Sequence, residues 1–205
     1  MIRSSVLLAC ACLAFGSFQL TGTDLVVNPG FETGDFTGWT LSGANSSPDD
    51  NGVYYGVDTV DAHSGNYGAY LGSLGGILDL SQLISTVPGD TYSISFWLSE
   101  TPGTIFPYTN SFSASFGAAT LVSESDISDF PYTQFSYNAR ATSDLTLLEF
   151  GFRDDVGYFS FDDVSVVPGV VSVPEPASFG LELLALLTLG LWLHRAWRAK
   201  SFVMT

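Results

Sequence analysis

Apolar and polar residues alternate one by one along several short stretches in the middle of this chain. Tyr92, Ile94, Phe96 and Leu98 alternate with Ser93, Ser95 and Trp97, and Phe112, Ala114 and Phe116 with Ser111, Ser113 and Ser115. Phe135 and Tyr137 sit among polar neighbours, and Leu148, Phe150 and Phe152 flank Glu149 and Gly151. A period of two puts every second side chain on one face of an extended backbone, so each stretch predicts a β-strand with one buried face. Val87-Pro88-Gly89-Asp90 and Arg153-Asp154-Asp155-Val156-Gly157 carry turn residues between such stretches. No amphipathic helix of useful length is predicted before Ala177. Many short strands at this spacing predict an all-β domain, a jelly-roll β-sandwich.

The two ends follow a different pattern. Arg3, an apolar run from Val6 to Phe15 and the small residues after it predict a secretory signal peptide over 1–16. Near the other end, Ala177 to Leu193 is apolar except for Glu182. At ~1.5 Å per residue such a helix is about 26 Å long, at the short end of what crosses a bilayer. Trp192 and Trp197 fall where interfacial aromatics belong, and Arg195, Arg198 and Lys200 follow. The pattern predicts a transmembrane helix over 177–193 and a basic cytoplasmic tail over 194–205, with the domain outside the cytoplasm. The expected order is therefore signal peptide helix, β-sandwich over 23–167, linker over 168–176, transmembrane helix and tail.

Composition narrows the function. Of 21 acidic residues only Glu182 lies beyond Pro176, whereas only Arg140 and Arg153 of the six basic residues fall between Thr23 and Pro176. So acidic a domain repels nucleic acid and anionic lipid, and suits neutral partners or divalent cations. Cys10 and Cys12 are the only cysteines and both lie in the signal segment, so the mature domain has neither disulfide nor thiol chemistry.

Two resemblances add to this. Val173-Pro174-Glu175-Pro176-Ala177, the apolar run and the short Arg-rich end together resemble a PEP-CTERM sorting signal. The resemblance implies that Pro174, Glu175 and Pro176 are recognised by an exosortase, which passes the protein to the cell surface or extracellular matrix of an exopolysaccharide-making bacterium. The second covers about Asp24 to Val167. Asn28-Pro29-Gly30-Phe31-Glu32-Thr33-Gly34-Asp35-Phe36-Thr37-Gly38-Trp39, Ser64-Gly65-Asn66-Tyr67-Gly68-Ala69-Tyr70-Leu71-Gly72, the hairpin around Pro88-Gly89-Asp90 and Phe161-Asp162-Asp163-Val164-Ser165-Val166 resemble, in that order, carbohydrate-binding-module-like jelly rolls of the galactose-binding-like fold.

That second resemblance implies a structural calcium between the opening Phe-Glu and the closing Asp-Asp. On a regular strand Asp162 shares a face with Val164 and Val166, and an inward carboxylate needs a partner. Glu32 and Asp162, with Asp163 behind them, are therefore the candidate calcium ligands; the alternative is carboxylates hydrogen-bonded to loop amides. Sugar binding needs rings on an exposed face. Trp97, out of phase with its apolar neighbours, is the first candidate, and Tyr108 and Tyr132, with Phe106 and Phe130, stand in Pro-containing loops. Trp39 reads as a core plug. Asp58, Asp61 and His63 fit no familiar ligand spacing and read as a solvated loop. No Gly-x-Ser-x-Gly elbow supports a hydrolase. The expected function is that of an exported, non-catalytic matrix or surface component linked to exopolysaccharide. The alternative is a module binding neutral glycan, with an unrecognised hydrolase as a third reading.

Overall fold

A computed structural model of the chain describes residues 22–47, 53–101 and 109–169. The signal segment, the sorting motif Pro174, Glu175 and Pro176, the apolar helix 177–193, the basic tail, Phe106 and Tyr108 lie outside the described residues.

The described residues form ten strands: β1 (Thr40–Gly43), β2 (Val53–Asp58), β3 (Gly68–Ser73), β4 (Leu78–Ser85), β5 (Thr91–Thr101), β6 (Asn110–Phe116), β7 (Ala119–Ser125), β8 (Phe130–Arg140), β9 (Leu145–Asp154) and β10 (Tyr158–Pro168). They pair into two five-stranded antiparallel sheets, β1-β4-β9-β6-β7 and β2-β3-β10-β5-β8. Neighbours in each sheet are mostly distant in sequence, as a jelly roll requires. The expected all-β sandwich is what the described residues form.

The alternating runs become strands for the reason they alternate. Tyr92, Ile94, Phe96 and Leu98 are all buried on β5, as are Phe112, Ala114 and Phe116 on β6 and Leu148, Phe150 and Phe152 on β9. Their rings meet between the sheets. Phe150 lies 4.8 Å from Phe161 and 5.2 Å from Phe96, and Phe112 lies 5.3 Å from Phe152, centroid to centroid. The spacing is that of favourable tilted and edge-to-face aromatic pairs. Trp39 plugs one side of this core, stacked on Phe31 at 5.9 Å.

The last strand departs from the expected parity. Phe159 and Phe161 face the core, and so do Val164 and Val166, an odd pair followed by an even pair. A β-bulge between Asp162 and Ser165 makes the change, with Asp163 at φ 50° taking the extra place. Asp162 consequently does not share a face with the two valines. It points to the outer side of the second sheet, opposite Trp97 in register.

Candidate functional site

The chain between β2 and β3 folds back over that outer face, and its polar groups converge on Asp162. This carboxylate is completely buried. It accepts hydrogen bonds from the His63 and Ser64 backbone N–H groups at 2.8 and 3.1 Å, and from the N–H of Asp163 at 2.7 Å. Burial, with some help from the neighbouring Asp163 charge, pushes its pKa up to about 6; the three amides oppose the shift. Asp163, lifted out by the bulge, accepts the Ser64 hydroxyl at 2.7 Å and bonds His63 Nδ1 at 2.7 Å.

Glu32 arrives from the opening motif and fastens the far side of the same loop. It accepts from the Asn66 N–H at 2.8 Å, the Tyr67 N–H at 3.0 Å and the Asn66 side-chain amide at 3.2 Å. These bonds, the Asn66 amide first, hold its carboxyl below the usual range. Gly65 makes the approach feasible: its φ is +65°, and a Cβ there would overlap Glu32 Oε1. The opening and closing motifs do meet, since Val164 N–H donates to the Pro29 carbonyl at 2.9 Å.

Glu32 thus holds one side of the loop and Asp162 and Asp163 the other, and N–H and O–H donors point at every one of their carboxylate oxygens. A calcium site presents oxygens inward, not hydrogens. No group of three or more His, Cys, Asp or Glu side chains placed to hold a metal occurs among the described residues. The three residues do not fit calcium here; they tie down a loop.

Trp97 is outward-facing, as its phase requires, but its ring is already stacked. The His63 ring lies 3.8 Å away, inclined by 18°. Tyr132 meets the same histidine edge-on at 5.1 Å and donates its hydroxyl to the Asp61 carbonyl. Burial, then the charges of Asp162 and Asp61, pushes the Tyr132 phenol far up, so it stays a hydrogen-bond donor. Asp61 is itself 7% exposed and accepts the Ser160 hydroxyl. Neither Trp97 nor Tyr132 is a free platform for a sugar. The segment read as a solvated loop is fastened to the sheet: His63, Ser64 and Asp61 bond to residues about a hundred positions away. No local pattern signals such contacts.

His63, Ser64 and Asp163 are the residue types of a hydrolytic triad, joined in a different order. Ser64 donates to Asp163, not to the histidine, and both His63 and Ser64 bond the one carboxylate. A nucleophile needs the imidazole as its proton acceptor.

Elsewhere on the outer face of this sheet stand three tyrosines, Tyr54 exposed and Tyr70 and Tyr158 half-buried. Tyr54 pairs with Gly72 and Gly56 with Tyr70 across β2 and β3, so Tyr54 and Tyr70 share the face that Tyr158 joins from β10. Tyr70 and Tyr158 lie 5.3 Å apart at 55°. Tyr54 is 39% exposed. The three hydroxyls make no hydrogen bond among the described residues. Burial, then the charges of Asp61 and Asp58, pushes the Tyr158 phenol up. By contrast, the groove beside β1 and β4 on the other sheet is lined by Val27, Thr40, Gln82, Leu83 and Leu147, without an aromatic ring.

No protein-family model and no curated protein matches this sequence. Solved structures do. A family 61 carbohydrate-binding module, TmCBM61, solved in complex with β-1,4-galactotriose, is 21% identical with a TM-score of 0.51, over 72% of this chain and 99% of that one. The K1 cleaved adhesin domain of Lys-gingipain from Porphyromonas gingivalis is 16% identical with a TM-score of 0.50, over 68% of this chain and 96% of that one. The CBM22-1 xylan-binding domain of Xyn10C from Paenibacillus barcinonensis is 16% identical with a TM-score of 0.49, over 72% and 95%. At such identities the likeness is one of architecture: the described domain is a jelly-roll β-sandwich of the kind that carbohydrate-binding modules use.

Proposed function

We propose that this chain is an exported, non-catalytic β-sandwich protein of the cell surface or extracellular matrix, delivered by its C-terminal segment. The observation that carries the non-catalytic reading is the wiring of His63, Ser64 and Asp163. The serine proton is committed to the carboxylate, and the imidazole is spent on Trp97 and Asp163. Delivery is supported by the sequence alone: Arg3 and the apolar run after it, then Pro174-Glu175-Pro176, the apolar stretch and the basic end. In this reading an exosortase recognises the motif, and exopolysaccharide is the medium in which the acidic domain resides.

Replacing Pro174, Glu175 and Pro176 together by alanine tests the delivery. The unaltered chain is expected as a shortened form at the surface or in the matrix fraction, and the triple variant as full-length protein in the membrane fraction. Identical distribution of the two would sink the proposal.

A second reading, binding of neutral glycan, is favoured by Tyr54, Tyr70 and Tyr158. Rings whose hydroxyls are unbonded among the described residues are what a pyranose stacks on and bonds to. The acidic surface directs this reading to uncharged sugars. A glycan array with the full chain and with a Tyr70→Ala, Tyr158→Ala double variant decides it. Retention on neutral β-linked oligosaccharides should be at least tenfold weaker in the double variant, and unchanged in Trp97→Ala.

A further inference from the structure

The inward rows of two strands in facing sheets both end in acid. On β5 the row Tyr92, Ile94, Phe96, Leu98 is followed by Glu100, which lies opposite Phe159 of β10. On β9 the row Leu148, Phe150, Phe152 is followed by Asp154, which lies opposite Asn110 of β6. Glu100, Asn110 and Asp154 are each 2% exposed. Asn110 bridges them: its backbone pairs with Asp154, and its side-chain amide donates to Glu100 Oε1 at 3.2 Å. The amide oxygen of Asn110 accepts the Ile127 N–H at 2.6 Å and is satisfied.

Two oxygens are not. Glu100 Oε2 and Asp154 Oδ2 are buried without a hydrogen-bond partner among the described residues. Buried carboxylate oxygens are normally bonded several times over, and a bare one is among the costliest groups a core can hold. Here there are two, and the charges of Asp154 and Asp129 both bear on Glu100. The domain's two arginines are engaged elsewhere, Arg153 with Asp155 at 2.8 Å and Arg140 with the Gly89 carbonyl at 2.7 Å. Gly157 keeps side-chain atoms away from the bare oxygen, since a Cβ there would overlap Asp154 Oδ2.

We propose that Glu100 Oε2 and Asp154 Oδ2 bind one divalent cation of the calcium type, which fastens the two sheets together at this point. Hard oxygens and like charges from two elements are what such an ion bridges. The excess of acidic over basic residues in the chain draws cations toward it. This site is separate from the amide-held carboxylates Glu32, Asp162 and Asp163.

Calorimetric titration of the chelator-stripped full chain with calcium chloride, together with melting in calcium and in EGTA, tests it. One calcium per chain is expected, with melting raised by roughly 5–10 °C at a hundredfold excess over Kd. Glu100→Gln and Asp154→Asn keep the shape and remove one charge each. Each should weaken calcium at least tenfold, while Glu32→Gln leaves it unchanged. In EGTA the two charge-removing variants should melt no lower than the parent, because each relieves a buried repulsion, so a lost calcium response cannot be mistaken for misfolding. Terbium, excited through the protein's aromatic rings, should bind the parent chain and be displaced by calcium. No heat, no melting shift and no terbium signal in the parent chain would overturn the site, and point to a proton shared between the two acids. So would a calcium response that survives both charge removals and disappears in Glu32→Gln.

Discussion

Asp162 is a charged group kept in a dry place by three backbone donors, and its replacement tests how much those donors matter. In Asp162→Ala the N–H groups of His63, Ser64 and Asp163 lose their acceptor together. Each stranded donor costs about 1–3 kcal/mol, less whatever water recovers on entering the space. The opposing gain, removal of a burial-disfavoured charge, is real but smaller, because neutralisation is already easy for a carboxyl with a pKa of about 6. The net expectation is a loss of about 3 kcal/mol in urea unfolding. The same substitution at Asp35, an exposed carboxylate that accepts from Thr33 and Thr37 within its own turn, should cost far less, because water can replace it as the acceptor. Gly65→Ala is a second residue-scale test. It forces a side chain onto a left-handed backbone and into Glu32, so it should destabilise by about 2 kcal/mol.

At the scale of the element, β10 shows what alternation can and cannot foretell. Its bulge is one residue long and turns the strand's facing around, so Phe159 and Phe161 on one side of it and Val164 and Val166 on the other all reach the core. Deleting Asp163 removes the extra place. Either the valines or the phenylalanines must then turn outward, since a one-residue slip exchanges the two faces. The deletion is expected to abolish cooperative unfolding, seen as a lost near-ultraviolet circular dichroism signal. Asp163→Asn tolerates the positive φ and should keep the fold at a cost of about 1 kcal/mol. Strands β5, β6 and β9 were legible in the sequence because each side chain's facing is decided by its nearest neighbours. The bulge was not, because it depends on the Pro29 carbonyl that meets Val164 across the fold. Nor was the covering of Trp97, which requires His63 to stack on a strand residue 34 positions further on. Glu100 and Asp154, however, lie in phase with the apolar rows they end, and extending the alternation by one step in each would have marked them as buried.

The whole molecule is an acidic body whose buried carboxyls and surface carboxylates respond to pH in opposite senses. Burial raises the pKa of Asp162 to about 6, and raises that of Asp61 and Asp79. An acid with a raised folded pKa binds protons more tightly folded than unfolded, where Asp titrates near about 3.9. Its favourable contribution is complete below that unfolded value and is lost as pH rises through about 6. Relief of the repulsion behind a formal net charge of −15 acts in the same direction. Glu32, Asp35 and Asp155 act oppositely: hydrogen bonds hold them low, so their contribution is lost only when pH falls through their depressed values. The two sets define a stability maximum on the acidic side of neutrality. In EGTA, which leaves any divalent cation out of the balance, the protein should melt about 5 °C higher at pH 5 than at pH 7.5, and lower again at pH 3. Asp162→Ala should shrink the rise between pH 7.5 and 5 without abolishing it, because burial raises Asp154 to about 6 as well, and should keep the fall toward pH 3. If the parent chain instead melts lower at pH 5 than at pH 7.5, the loop around Asp162 is more open to water than its burial describes.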